Sequence, residues 1–198
     1  ALVATAVTLP LGILFAWLLV RKEFRGKFIL DVLVSLPLAL PPVVIGYSLL
    51  WFVGTNGWFG QMSESLFGST LAFTWIAASL AAAIVSLPLV VRSFAAALSG
   101  VDPRLEVAAR GLGAGTVRTF LTVTLPLAYR GVIAGVLLGF VRALSEFGAT
   151  IVVAGNIPGR TQTVPSAIFT RISAGDTDAA WRLALASVVL GVIALAVH

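Results

Sequence analysis

The chain contains no cysteine, one methionine and one histidine among 198 residues, and only 11% of its residues are charged. Without cysteine there is no disulfide, no thiolate nucleophile and no thiolate metal site. The single histidine, His198, has no acidic residue or second histidine beside it with which to form a dyad or a metal site. No stretch matches G-x-x-x-x-G-K-[ST], H-E-x-x-H or G-x-S-x-G. Gly111, Gly113 and Gly115 fall short of G-x-G-x-x-G because Thr116 stands where the last glycine is needed. The expectation is therefore a chain with no catalytic residue, no metal ligands and no cofactor of its own. Any ATP-driven work must use a nucleotide site on another polypeptide.

What the chain has in excess is hydrocarbon. Hydrophobic residues make up 59%, and the mean hydropathy is +1.06. A soluble domain of this length has no use for so much apolar surface, so the chain reads as an all-α integral membrane protein. Five apolar intervals are predicted as spans: residues 1–20, 32–53, 70–91, 125–153 and 181–197. About 20 residues at helical rise cross a hydrocarbon core of roughly 30 Å. Arg21, Lys22, Arg25 and Lys27 follow the first span, and Arg92, Arg104, Arg110 and Arg118 follow the third. The loop at 54–68 has no Lys or Arg, and the loop at 155–180 has only Arg160 and Arg171. The positive-inside rule then puts the first and third loops in the cytoplasm and the N-terminus outside. The net charge of +5 follows from topology and does not indicate a nucleic-acid partner. No internal repeat or linker divides residues 1–198, which read as one transmembrane domain. The chain begins without a basic n-region, so a signal peptide is not expected. It also ends inside an apolar run, so further terminal sequence is expected.

Residues 101–127 form the longest polar-spaced interval. Asp102 can cap a helix and Pro103 suits its first position. Leu105, Ala108, Ala109 and Leu112 then recur at helical spacing, and Glu106 and Arg110 stand four apart, as an ion pair would. The three glycines end this helix, and a second short helix is predicted from Thr116 toward Leu125-Pro126. By composition alone, such a pair could rest on the membrane surface.

Two features lie inside the spans. Read as one helix, the fourth interval places Gly131, Gly135, Gly139, Arg142 and Glu146 within about 80° of one another, with Ile133, Leu137, Phe140 and Leu144 opposite. Small residues let helices approach closely, and intramembrane charges face the bundle interior or a water path. Arg142 and Glu146 can neutralise each other, either as a structural pair or along a route. Pro37, Pro41 and Pro42 concentrate three helix breaks in the second span. Such breaks are tolerated at depth where protein or a cavity covers them.

Ala108-Ala109, Gly113 and Leu125-Pro126 resemble the "EAA" loop of membrane subunits of ATP-driven importers. The match has one departure, since the family's Glu position holds Val107 and Glu106 lies one residue early. LPLALPPVVIGYSLLW, SLPLVVRSFAAAL, RALSEFGATIVVAGNIPG and TVPSAIFTRI resemble the molybdate-transport permeases. Sulfate permeases share much of the loop and of SEFGA. The resemblance implies an importer of a tetrahedral oxyanion, molybdate or tungstate, in a prokaryotic inner membrane. It also implies a second copy of the chain, two ATPase subunits that carry ATP and Mg, and a periplasmic or surface oxyanion-binding protein. Carried onto this chain, ATPase coupling falls to Arg104, Glu106, Ala108, Ala109, Arg110 and Gly113, with Glu106 weighted least because of its register. Pathway or gate residues are Pro41, Pro42, Arg142, Ser145 and Glu146. Contact with the binding protein falls to Arg160 and Arg171. The alternatives are a sulfate-type permease, a secondary transporter or channel with Glu146 as a proton site, and a membrane anchor that transports nothing.

Overall fold

The computed structural model describes residues 1–55 and 57–196, and among them every regular element is helical. The elements are α1 (Leu2–Arg21), α2 (Lys27–Ala39), α3 (Pro42–Val53), α4 (Trp58–Phe67), α5 (Trp75–Ser99), α6 (Pro103–Gly111), α7 (Thr116–Thr119), a π-helical turn (Phe120–Thr124), α8 (Leu125–Leu144), α9 (Gly148–Ala154), α10 (Val164–Ser173) and α11 (Thr177–Ala196). Four helical stretches are long and apolar enough to cross a membrane: Leu2–Arg21, Trp75–Ser99, Thr116–Leu144 and Thr177–Ala196. The bent pair α2 and α3 makes five if it counts as one span.

That pair corrects the expected straight span at 32–53. α2 and α3 meet at 113°. The cause is local, because a residue before proline is pushed out of the helical region by the proline ring. Leu40 precedes Pro41 and Pro41 precedes Pro42, and both adopt extended ψ angles, 140° and 135°. Pro42 then occupies the first turn of α3, where its missing N–H costs nothing. Pro10, Pro37 and Pro88 are absorbed inside helices.

Other boundaries also move. The third span runs from Trp75 to Ser99, started by Thr74, whose hydroxyl accepts from the Ala77 amide at 3.3 Å. The fourth interval is not one helix. It starts earlier, at Thr116, and breaks after Leu144 before resuming at Gly148. The polar loops hold helices α4 and α10. The last span begins at Thr177; Val197 and His198 lie outside the described residues.

Among the described residues the core has two large parts and a small cluster of Ala4, Ala82, Ala83 and Ala143. α1, α5 and α8 pack around Phe94, Val90, Val91 and Leu98, all fully buried. Glycine makes this contact possible. A Cβ on Gly12 would lie 2.7 Å from Val90, one on Gly135 2.7 Å from Phe94, and one on Gly131 2.5 Å from Ala97; one on Gly139 would also meet Val90. The expected small face of the fourth interval is thus real, and α5 of the same chain occupies it. As residue numbers rise along α8 they fall along α5, so these two helices are antiparallel. Ala4 meets Ala82 and Ala83, and Gly12 meets Val90, so α1 and α5 run parallel. In hydrocarbon this association rests on close van der Waals packing, since lipid tails are as apolar as the helices. The second core joins α3, α5 and α9 through Ile45, Ala81, Val85, Ala149 and Val153. The large apolar residues of α2 and α11, such as Phe28, Leu33, Leu185 and Val192, point away from both cores.

Candidate functional site

The end of the molecule where α1 and α5 finish carries the 101–127 interval. Asp102 Oδ1 accepts from the Arg104 amide at 2.9 Å, and Pro103 starts α6. The helix ends in a Schellman motif. The Gly113 amide donates to Arg110 O at 3.0 Å, the Ala114 amide to Ala109 O at 3.1 Å, and Gly113 takes φ +86°. Glycine is required there by conformation, because no atom lies within 4 Å of a Cβ placed on it. The second helix does not stand alone: α7 and the π-helical turn lead directly into α8.

Glu106 corrects the expected pairing. Its carboxylate does not meet Arg110, whose Nε donates to the Glu106 carbonyl at 3.2 Å. The carboxylate is buried, and Oε1 accepts from Arg21 Nε at 2.9 Å and from Thr124 Oγ1 at 2.9 Å. Arg21 Nη2 also donates to the carbonyls of Leu98 at 2.9 Å and Val101 at 3.0 Å, at and just beyond the end of α5. One ion pair therefore ties the ends of α1 and α5 to α6 and the π-helical turn. Arg21 and Thr124 were not singled out from sequence. Arg21 is 85 residues from Glu106, and no local spacing reports such a contact.

The apolar residues of this end are not covered. Leu105, Val107, Val117 and Leu112 are exposed, Leu112 to 90%. The stripe of Leu105, Ala108, Ala109 and Leu112 is turned outward except for Ala109, which is half-buried. The inward face belongs to Glu106. Arg104, Ala108, Arg110 and Gly113 are all exposed. The surface therefore combines exposed aliphatic side chains with exposed guanidinium groups.

A second cluster forms where two helix breaks meet. α8 stops at Leu144, and Ser145 Oγ turns back to donate to Arg142 O at 3.0 Å. Glu146 is 2% exposed. Its Oε2 lies 2.9 Å from Arg142 Nη1, and its Oε1 accepts from the Ala149 amide at 2.8 Å. The carboxylate thus caps the start of α9 while it neutralises Arg142, a placement favoured by the partial positive charge of a helix N-terminus. Thr150 Oγ1 donates to the carbonyls of Glu146 and Phe147 at 3.2 and 3.0 Å. The other break lies against this one. A Cβ on Gly148 would stand 3.0 Å from Pro42 Cβ, and one on Gly46 would stand 2.5 Å from Ala149 O. Pro42, Gly148 and Glu146 thus come together, and Pro41 sits at the bend itself. Ser145 is exposed beside them.

At the same end as α9, Thr163 and Ser166 form a capping box that starts α10. Arg171 Nη1 lies 3.2 Å from Asp176 Oδ2, and Arg160 is exposed. Asn156 Nδ2 donates to Thr170 Oγ1 at 2.6 Å and accepts at Oδ1 from Gln162 Nε2 at 3.0 Å. This uncharged network was not singled out from the sequence. Among the described residues, no group of His, Asp or Glu could hold a metal ion.

Comparison with known proteins agrees with this architecture. The family described as "Binding-protein-dependent transport system inner membrane component" matches residues 8–198. The molybdenum transport system permease protein ModB of Escherichia coli (strain K12) is 52% identical over 193 residues, 97% of this chain and 84% of that protein. ModB of Haemophilus influenzae is 48% identical over 95% of this chain and 82% of its own. The sulfate transport system permease protein CysT of Salmonella typhimurium is 40% identical over 96% and 68%. Among solved structures, a bacterial ABC transporter involved in the import of the acidic polysaccharide alginate superposes with a TM-score of 0.71 at 17% identity, over 99% of this chain and 75% of that one.

Proposed function

The chain belongs to the binding-protein-dependent transport system inner membrane components, and from that premise we propose that it is the transmembrane permease subunit of an ATP-driven molybdate importer. The observation that carries the substrate is the 52% identity to a molybdenum permease over 97% of the chain, against 40% for a sulfate permease. The protein is a transport subunit and not itself an enzyme. Hydrolysis belongs to a partner ATPase.

The finer parts of the reading rest on geometry. The first and third loops come to one end, joined by Arg21 and Glu106, so their cations form one basic region, which the positive-inside rule assigns to the cytoplasm. The N-terminus is then outside. α6, with its exposed Leu105, Val107 and Leu112, docks on the ATPase, and Arg104 and Arg110 flank the contact. The Pro41-Pro42 bend and the Arg142–Glu146 break border the route, which a second copy of the chain completes. Arg160 and the Asn156–Gln162–Thr170 network face an external oxyanion-binding protein. Tungstate, a divalent tetrahedral oxyanion like molybdate, is accepted by the same route. Both oxygens of Glu146 are engaged, which weighs against a proton-carrying role.

The test is reconstitution in vesicles with the partner ATPase and the external binding protein. ATP-dependent uptake of molybdate that excess sulfate does not suppress is expected. Uptake without ATP, or equal uptake of sulfate, would overturn the assignment.

A further inference from the structure

Two adjoining hollows lie where α1 meets α7 and the π-helical turn. The first is a polar crevice of about 350 Å³, whose walls include Lys22, Arg110, Thr116 and Thr119. The second is an apolar trough of about 230 Å³, lined by Pro10, Ile13, Leu14 and Val117. Trp17, Thr116 and Phe120 line both, so the hollows are continuous. The trough follows α1 from its C-terminal end back toward the middle of the span.

The charges of the crevice are unevenly matched. Arg21 and Glu106 satisfy each other, and Glu23 pairs with Lys27 at 2.6 Å. Lys22 is in no ion pair among the described residues, and its ammonium sits 5.1 Å from the centre of the Trp17 ring. Arg110 spends Nε on a carbonyl and meets no carboxylate among the described residues. Thr119 adds a second kind of observation: its hydroxyl is buried and has no hydrogen-bond partner among the described residues. A cationic crevice with an unused hydroxyl, opening into an apolar trough at a tryptophan, is complementary to a molecule with an anionic head and a hydrocarbon tail. Basic pockets at the cytoplasmic ends of membrane helices hold such head groups, and tryptophan favours that boundary.

We propose that this composite groove binds one anionic phospholipid per chain, its phosphate between Lys22 and Arg110 and an acyl chain along Ile13, Leu14 and Phe120. The lipid would brace α1 against the segment that leads into α8, beside the Arg21–Glu106 pair. The proposal rests on the cytoplasmic assignment of this end but not on the substrate, so its failure would leave the transport reading standing.

The test uses the permease–ATPase complex in lipid nanodiscs containing equal amounts of phosphatidylglycerol and phosphatidylcholine, analysed by native mass spectrometry. One phosphatidylglycerol retained per permease is expected, at least fivefold over phosphatidylcholine. Lys22→Gln removes one of the two cations that would hold the phosphate, and Leu14→Trp fills the trough from an exposed position; each should abolish the preference while ATPase association persists. Equal retention of the two lipids, or unchanged preference in both variants, would overturn the proposal. So would displacement of the lipid by inorganic phosphate or molybdate at millimolar concentration, since that would make the crevice a site for soluble anions.

Discussion

At the scale of single residues, two carboxylates are held by different means. Glu106 lies nearly buried with Arg21, their side chains 12% and 13% exposed. Removing one member of a buried pair costs roughly 3–5 kcal/mol. Glu106→Ala should therefore lower stability in detergent by an amount of that order, and Glu106→Gln by less, because Thr124 keeps an acceptor. Thermal unfolding of both variants followed by circular dichroism checks the ranking. The low weight that its register gave Glu106 was for coupling to an ATPase, not for stability. That register had no view of Arg21. Glu146 leads to a second prediction. Its carboxylate serves both Arg142 and the Ala149 amide. Arg142→Met with Glu146→Leu should recover only part of the stability lost in Arg142→Ala, because the Ala149 amide stays unmet. Arg142→Met with Glu146→Gln should recover more. Equal stability of the two double variants would show that the cap contributes nothing.

At the scale of elements, the helices were legible where a pattern stayed local. The start of α6 at Asp102-Pro103, its stop at Gly113 and the small face of α8 follow from residues within a few turns. What could not be read was which partner each face meets. The glycine face of α8 packs on α5 of the same chain, whereas sequence left open a contact within or between subunits. The breaks at 40–41 and 145–147 were signalled by prolines and glycine, but the 113° bend needs two successive residues held extended. The contact of Pro42 with Gly148 is non-local and left no trace in spacing. Two predictions belong here. Gly113→Leu forces a left-handed conformation that costs a non-glycine residue roughly 1–2 kcal/mol; Gly113→Asn should be milder. If α6 is the docking helix, Gly113→Leu should reduce coupled ATP hydrolysis more than Gly113→Asn, with spans intact. Leu112→Asp removes an exposed aliphatic side chain and should weaken ATPase association at least tenfold without lowering the unfolding temperature. Unchanged association would remove Leu112 from the interface. In the core, Gly135→Leu inserts side-chain atoms where Phe94 already sits, and overpacking of this kind typically costs about 1–3 kcal/mol.

At the scale of the whole molecule, the count of basic residues anticipated that the first and third loops share one end, and the Arg21–Glu106 pair brings them together. Orientation relative to the cell is testable, because the chain has no cysteine and single replacements report cleanly. Thr177→Cys should react with an impermeant maleimide added outside intact cells, and Leu112→Cys only after the membrane is opened. The reverse pattern would invert the topology.

Phe94 has a mechanical consequence. Its ring fills the space left by Gly12 on one side and Gly135 on the other, so it works like a key shared by two shafts. Neither α1 nor α8 can roll about its own axis without dragging that ring into the other. If α6 is the docking helix, a push on it would reach α1, α5 and α8 as one unit through the Arg21–Glu106 pair. Compliance is left to the jointed pieces around that unit, the elbow between α2 and α3 and the short α9 that leans on it.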